Sequence, residues 1–188
     1  GGLMTYPPIS QQKNVNRFLK ATKELIEENG ITVDIVSIGG SPNMWDVEKI
    51  PIGTEYRIGT YIYNDRSLME RNVCREEDCA LTVLATVVST PTPQRAVVDA
   101  GSKVLTTDLF GLTGHGHIVD HAQLTISQLS EEHACIVSDG PTGLSIGQKV
   151  RIIPNHACVV SNMVDEVVFV DGCKVLKSQS VVARGKVL

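Results

Sequence analysis

The chain has 188 residues (20.3 kDa), with 17 Lys and Arg against 21 Asp and Glu, a formal charge of −4. With 42% hydrophobic and 20% charged residues it has the composition of a packed globular protein, which excludes a disordered chain. No apolar run approaches the ~20 residues of a membrane span. The mild acidity argues against a nucleic-acid partner, and 4% aromatics is too few for base-stacking platforms.

The opening Gly1-Gly2-Leu3-Met4-Thr5-Tyr6 reads as the end of a buried strand. It is not a charged stretch followed by an apolar core, so it is not read as a signal peptide. A chain that opens inside a core element is expected to be the later part of a longer protein, with a tag remnant at Gly1-Gly2 as the alternative. Residues 14 to 29 carry helical periodicity, with Val15, Phe18, Leu19, Leu25 and Ile26 on one face. Asn14 is the expected cap and Asn29-Gly30 the stop. The near-continuous apolar run from Ile31 to Ile38 suits a strand of a parallel sheet, and Gly39-Gly40-Ser41-Pro42 ends it. Strand, helix, strand and glycine loop make a βαβ unit.

Tyr56 to Tyr63 reads as one further strand, and Asn64 to Asp78 as a short polar stretch with some helix. Then short strands follow at close spacing. They include Cys79 to Ser89, Arg95 to Asp99, Gln123 to Ser130, Cys135 to Ser138, Lys149 to Ile153, Cys158 to Asn162, Glu166 to Val170, Lys174 to Leu176 and Ser180 to Ala183. Such spacing describes a β-sandwich or barrel. The fold class is therefore α/β followed by all-β, with domains at residues 1–66 and 67–188.

Four constellations could carry chemistry. Gly39-Gly40-Ser41 after a buried strand lets backbone amides and a hydroxyl approach an anion; an ordinary turn is the alternative. In Ile153-Pro-Asn-His156-Ala-Cys158, an extended chain turns His156 and Cys158 to the same side. An imidazole and a thiolate are half of a tetrahedral zinc site, and the remaining positions suit water and substrate. A core cysteine beside a surface histidine is the alternative. His115, His117 and His121 lie in a glycine-rich loop and are a second candidate metal cluster, against plain solvated histidines, while His133 reads as structural. Asp99 either lines a site or anchors a turn through its carboxylate. The five cysteines, Cys74, Cys79, Cys135, Cys158 and Cys173, form no CxxC pair and point to a reducing, cytoplasmic compartment.

Taken in order, these segments resemble the C-terminal half of the D-threonine aldolase and D-serine dehydratase group, within the alanine racemase-like pyridoxal-phosphate enzymes. The resemblance is carried by Gly2 to Tyr6, Gly39 to Pro42, Arg57 to Asp65, Asp78 to Val88, Ala96 to Lys103, Leu129 to His133, Arg151 to Cys158, Asp165-Glu166 and Ala183 to Val187. It implies the last strands of a (β/α)8 barrel over 1–66 and a β-rich, metal-binding domain over 67–188. The cofactor implied is pyridoxal 5'-phosphate. Its binding residues would be Tyr6 beside the pyridine ring, Gly39, Gly40 and Ser41 at the phosphate, and Gly59 and Thr60 as a second phosphate contact after Arg57. The metal implied is zinc, on His156 and Cys158.

The family's Schiff-base lysine lies near the first barrel strand. No lysine here matches that motif, so this chain alone is expected not to attach the cofactor covalently. The function implied is that of a lyase on D-β-hydroxy amino acids. Cys158 tilts the reading toward the dehydratase branch, because some aldolases carry a carboxylate there. A small-molecule D-amino acid substrate and a homodimer are implied, and no catalytic base is identified. A non-catalytic homologue and an amino-acid racemase are the alternatives; the metal pair disfavours the racemase.

Overall fold

The computed structural model describes residues 1–186, so Val187 of the last motif lies outside the described residues. The chain forms two units. One comprises Gly1–Ile62 with Glu70–Cys74, the other Tyr63–Met69 with the chain from Arg75 onward. Among the described residues no helix is long and apolar enough to cross a membrane.

The first unit is a βαβ unit extended by one strand. Strands β1 (Gly2–Thr5), β2 (Ile35–Gly39) and β3 (Glu55–Arg57) pair in parallel in that order. Helix α1 (Gln12–Glu28) connects β1 to β2 and packs Val15, Leu19 and Ile26 on a core of Val33, Val36, Ile38 and Ile50. Phe18 and Leu25, expected on the same face, are exposed. Each lies roughly 90° round the helix from the Val15–Leu19–Ile26 line at 3.6 residues per turn. The helix also starts two residues early. Asn14 lies inside it, where its side-chain amide donates to Gln11 Oε1 at 2.6 Å. The stop at Asn29-Gly30 holds, with Gly30 N–H bonded to Glu27 O at 3.0 Å. The stretch expected as one strand over Tyr56 to Tyr63 is short β3 followed by a 3-10 turn at Thr60–Ile62.

The second unit opens with α2 (Arg66–Met69), then a 3-10 turn at Glu76–Asp78. Six strands follow: β4 (Val83–Thr92), β5 (Arg95–Val98), β6 (His117–Ile118), β7 (Thr125–Leu129), β8 (Ala134–Val137) and β9 (Lys149–Ile153). Helix α3 (Ser102–Leu105) lies between β5 and β6. The sheet order is β6-β9-β4-β5-β8-β7, antiparallel throughout. The backbone amide of His115 reaches across to Ile126 O at 3.1 Å, linking the entry of β6 to β7 at the opposite edge, so the sheet curls into a nearly closed barrel. Alternation places Ala85 and Val87 of β4 inside and Leu84 and Val88 outside. Val98, Ile126, Ile136 and Ile152 complete the core.

Helix α4 (Ala157–Met163) follows β9, and an antiparallel hairpin of β10 (Glu166–Asp171) and β11 (Lys174–Ser180) closes the unit. The strand expected over Cys158 to Asn162 is therefore a helix, despite its two valines. Its first amide is satisfied from a distance: Ala157 N–H donates to Asp65 Oδ2 at 3.0 Å. Asp65 is fully buried, and its other oxygen accepts from Ser67 Oγ and the Leu68 amide. A capped amide replaces the ladder bond that a strand would have offered.

Candidate metal and phosphate sites

Two groups of residues stand out, one in each unit. In the first, the turns that follow β2 and β3 lie side by side, since Gly40 N–H donates to Arg57 O at 3.3 Å. Ligands of parallel α/β sheets sit beyond such carboxyl ends. The Tyr6 ring rests against both glycines. A Cβ on Gly39 would come within 2.8 Å of Tyr6 Cδ2 and 2.6 Å of Arg57 Nη2, and one on Gly40 within 2.6 Å of Tyr6 Cζ. Gly40 also has φ of +103, so a side chain there is excluded twice over. Arg57 donates to Ser37 Oγ at 2.5 Å and to Thr5 O at 3.1 Å, and Ser37 donates to Glu55.

Ser41 begins the 3-10 turns after Gly40. It is 3% exposed, and its Oγ has no hydrogen-bond partner among the described residues. A buried hydroxyl left without a partner, beside glycines that admit a close approach, suits a bound phosphate. Gly59 and Thr60 lie just past β3 at the same sheet end.

In the second unit, β9 delivers the chain into Pro154-Asn155-His156, and α4 starts at once with Ala157. His156 and Cys158 are not on a strand face as their spacing suggests. They flank the first residue of a helix, yet their side chains still meet: the Cys158 side chain is the largest influence on His156, followed, among the favourable ones, by Asp108. Together these partners raise the His156 pKa to about 9, against the opposing effect of partial burial. Asp108 Oδ2 lies 2.7 Å from His156 Nδ1. The Phe110 ring stands edge-on to the imidazole, centroids 4.6 Å apart at 71°. Asp108 and Phe110 carry no local signal in the sequence. They reach the histidine through a loop closed by long-range bonds.

The donor chemistry fits a thiophilic divalent ion. One imidazole and one thiol meet, and the imidazole's second nitrogen is already on a carboxylate. The other histidines do not join them. His117 Nε2 is 2.5 Å from Glu76 Oε2, and His115 keeps a buried Nδ1 with no partner among the described residues. Burial lowers the His115 pKa. Among the described residues no group of three or more His, Cys, Asp or Glu side chains is placed to hold a metal ion by itself, so His115, His117 and His121 form no metal cluster. Asp99 proves to be an anchor. Its Oδ1 accepts the Thr86 amide at 2.6 Å.

A parallel-strand unit followed by a curled antiparallel barrel defines the alanine racemase-like class of fold. Residues 80–170 match the putative serine dehydratase domain. A D-serine dehydratase of Dictyostelium discoideum is 33% identical over 153 residues, 71% of this chain and 38% of that protein. The crystal structure of D-threonine aldolase from Filomicrobium marinum has a TM-score of 0.81 at 27% identity, covering all of this chain and 54% of that one. An uncharacterized protein of Mycobacterium tuberculosis is 41% identical over 129 residues, 65% of this chain and 96% of that protein. The chain belongs to the D-serine dehydratase and D-threonine aldolase-like family. It spans less than half the length of the curated lyases it matches.

Proposed function

We propose that this chain is the part of a pyridoxal-phosphate-dependent, zinc-assisted lyase that carries the metal ligands and the cofactor's phosphate turn, acting on D-β-hydroxy amino acids. Its similarity to a D-serine dehydratase and a D-threonine aldolase supports the substrate class. The observation that carries the reading is the meeting of His156 and Cys158, with Asp108 behind the imidazole. When bound, the cofactor supplies an electron sink for charge at the substrate α-carbon, and zinc a Lewis acid for its β-hydroxyl.

This chain's own residues bind and orient. Ser41 Oγ would donate to the phosphate at the Gly39-Gly40 turn, and backbone amides at Gly59 and Thr60 would give the second contact. Tyr6 would lie beside the pyridine ring, and Arg57 is fixed next to the glycines that Tyr6 rests against by its bonds to Ser37 and Thr5. His156 and Cys158 would hold the zinc, which would supply Lewis-acid chemistry to the substrate oxygen. Cys158, standing where some aldolases of the family carry a carboxylate, favours the dehydratase reading over cleavage between the α- and β-carbons. A homodimer and a cytoplasmic location belong to the same reading; no disulfide joins any of the five cysteines.

The test is metal content. The purified chain loaded with zinc and dialysed is expected to retain one ion per chain by mass spectrometry, and His156→Ala and Cys158→Ala to retain none. Undiminished zinc in both variants would remove the site.

A further inference from the structure

The segment from Thr106 to Gly116 is held more firmly than a surface connection requires. Thr106 and Phe110 have φ of 64 and 50, and Gly111, Gly114 and Gly116 also have positive φ. Left-handed backbone at a β-branched and an aromatic residue is unfavourable and persists only where surrounding bonds impose it. Those bonds are present. Asn155, 1% exposed, donates its amide to Asp108 O at 3.0 Å and Gly114 O at 2.9 Å. Arg66 donates to Gly114 O and to Asn155 Oδ1, each at 3.3 Å. Thr106 Oγ1 accepts the Asp108 amide at 3.3 Å. Asn155 is the residue before His156, so the bonds that shape the loop also tie it to the ligand's own backbone.

What this loop presents to His156 is one carboxylate oxygen, 2.7 Å from Nδ1, and one aromatic edge. We propose that Asp108 is a positioning residue for the metal-binding imidazole: its carboxylate accepts the Nδ1 proton, fixes the ring's rotation and tautomer, and leaves Nε2 as the donor to the ion. Phe110, edge-on to the same imidazole, restricts the ring's rotation further. A carboxylate behind a ligating histidine also strengthens the imidazole as a donor, and losing such a partner typically weakens a metal site 10- to 100-fold. This inference rests on His156 being a zinc ligand, as set out under the proposed function.

The experiment measures zinc affinity of the full chain by competition with a chromophoric chelator. It compares the natural protein with Asp108→Ala, Asp108→Asn and His156→Ala, and follows far-UV circular dichroism on each. Asp108→Ala is expected to bind zinc about 10- to 100-fold more weakly. Asp108→Asn is expected to fall between, because its amide oxygen still accepts from Nδ1 but carries no charge. With cobalt in place of zinc, the thiolate-to-metal absorption from Cys158 should persist in both Asp108 variants while the ligand-field bands shift. A merely structural role for Asp108 would leave those bands unmoved in any folded variant. Should Asp108→Ala not fold, the nearly isosteric Asp108→Asn carries the test on the same two measurements. Zinc affinity in the Asp108 variants equal to the natural protein's, with affinity lost in His156→Ala, overturns the role of Asp108 and leaves the metal site standing. Zinc affinity retained in His156→Ala overturns the metal site itself and the role of Asp108 with it.

Discussion

Ser41 shows what a single atom tells about this molecule. Its hydroxyl is buried and bonded to nothing among the described residues. Leaving such a group unsatisfied costs about 1–3 kcal/mol, and a phosphate oxygen placed there recovers part of that. Ser41→Ala should therefore leave the ligand-free chain as stable as before, or slightly more stable. It should weaken binding of pyridoxal 5'-phosphate about tenfold, equivalent to about 1.4 kcal/mol, while binding of pyridoxal, which has no phosphate, stays the same. Equilibrium titration of both ligands reads the difference; an equal loss for both would show that Ser41 does not meet the phosphate. At this scale the sequence was informative where residues are local. Gly39-Gly40-Ser41 and the His156–Cys158 pair are legible because their members lie within three residues of one another. Asp108 was not, because it meets His156 from 48 positions away in the sequence.

At the scale of elements, local pattern succeeded where packing agrees with it and failed where a distant group decides. The β1–α1–β2 unit follows directly from periodicity and stop signals. Helix α4 does not. Its Cys-Val-Val-Ser-Asn run has the look of a strand, but the buried Asp65 carboxylate caps it from 92 residues away. Asp99 is the same kind of device between β4 and β5. Its carboxylate accepts the Thr86 amide at 2.6 Å, and that bond, helped by the Thr86 side chain and least by Lys149, holds its pKa below the usual carboxylate range. The sign follows from linkage. A carboxylate with a lowered folded pKa adds stability at pH values above its unfolded value, about 3.9, and loses it as pH falls through the folded one. Asp99→Ala is thus expected to lower unfolding free energy by about 1 kcal/mol at pH 7, and by less near pH 3. Urea midpoints at the two pH values check this; a difference that does not shrink in acid would mean the charge of Asp99 plays no part.

For the whole molecule, most strands were easier to read than their neighbours, although β6 was not expected, Cys158 to Asn162 is a helix and Ser180 to Ala183 holds only the end of β11. Turn residues mark where each strand ends, but β4 lies between β5, which follows it at once, and β9, which begins more than fifty positions later. Only the shared core of inward-facing Val, Ile and Ala fixes that order, and such pairing is non-local. One consequence concerns the metal. His156 and Cys158 stand where β9 hands over to α4, so an ion held by both joins two elements of the second unit. The unfolded chain keeps the same two side chains but not their meeting, so zinc favours the folded state. At a free concentration a hundred times its dissociation constant it should add about 2.7 kcal/mol to stability, which for a chain of this size raises the thermal midpoint by roughly 5–10 °C. Adding a chelator should remove the rise, and His156→Ala should show none at all. Thermal melts by far-UV circular dichroism, with zinc and with chelator, read the outcome. A His156→Ala protein that gains as much from zinc as the natural chain would place the ion somewhere other than the end of β9.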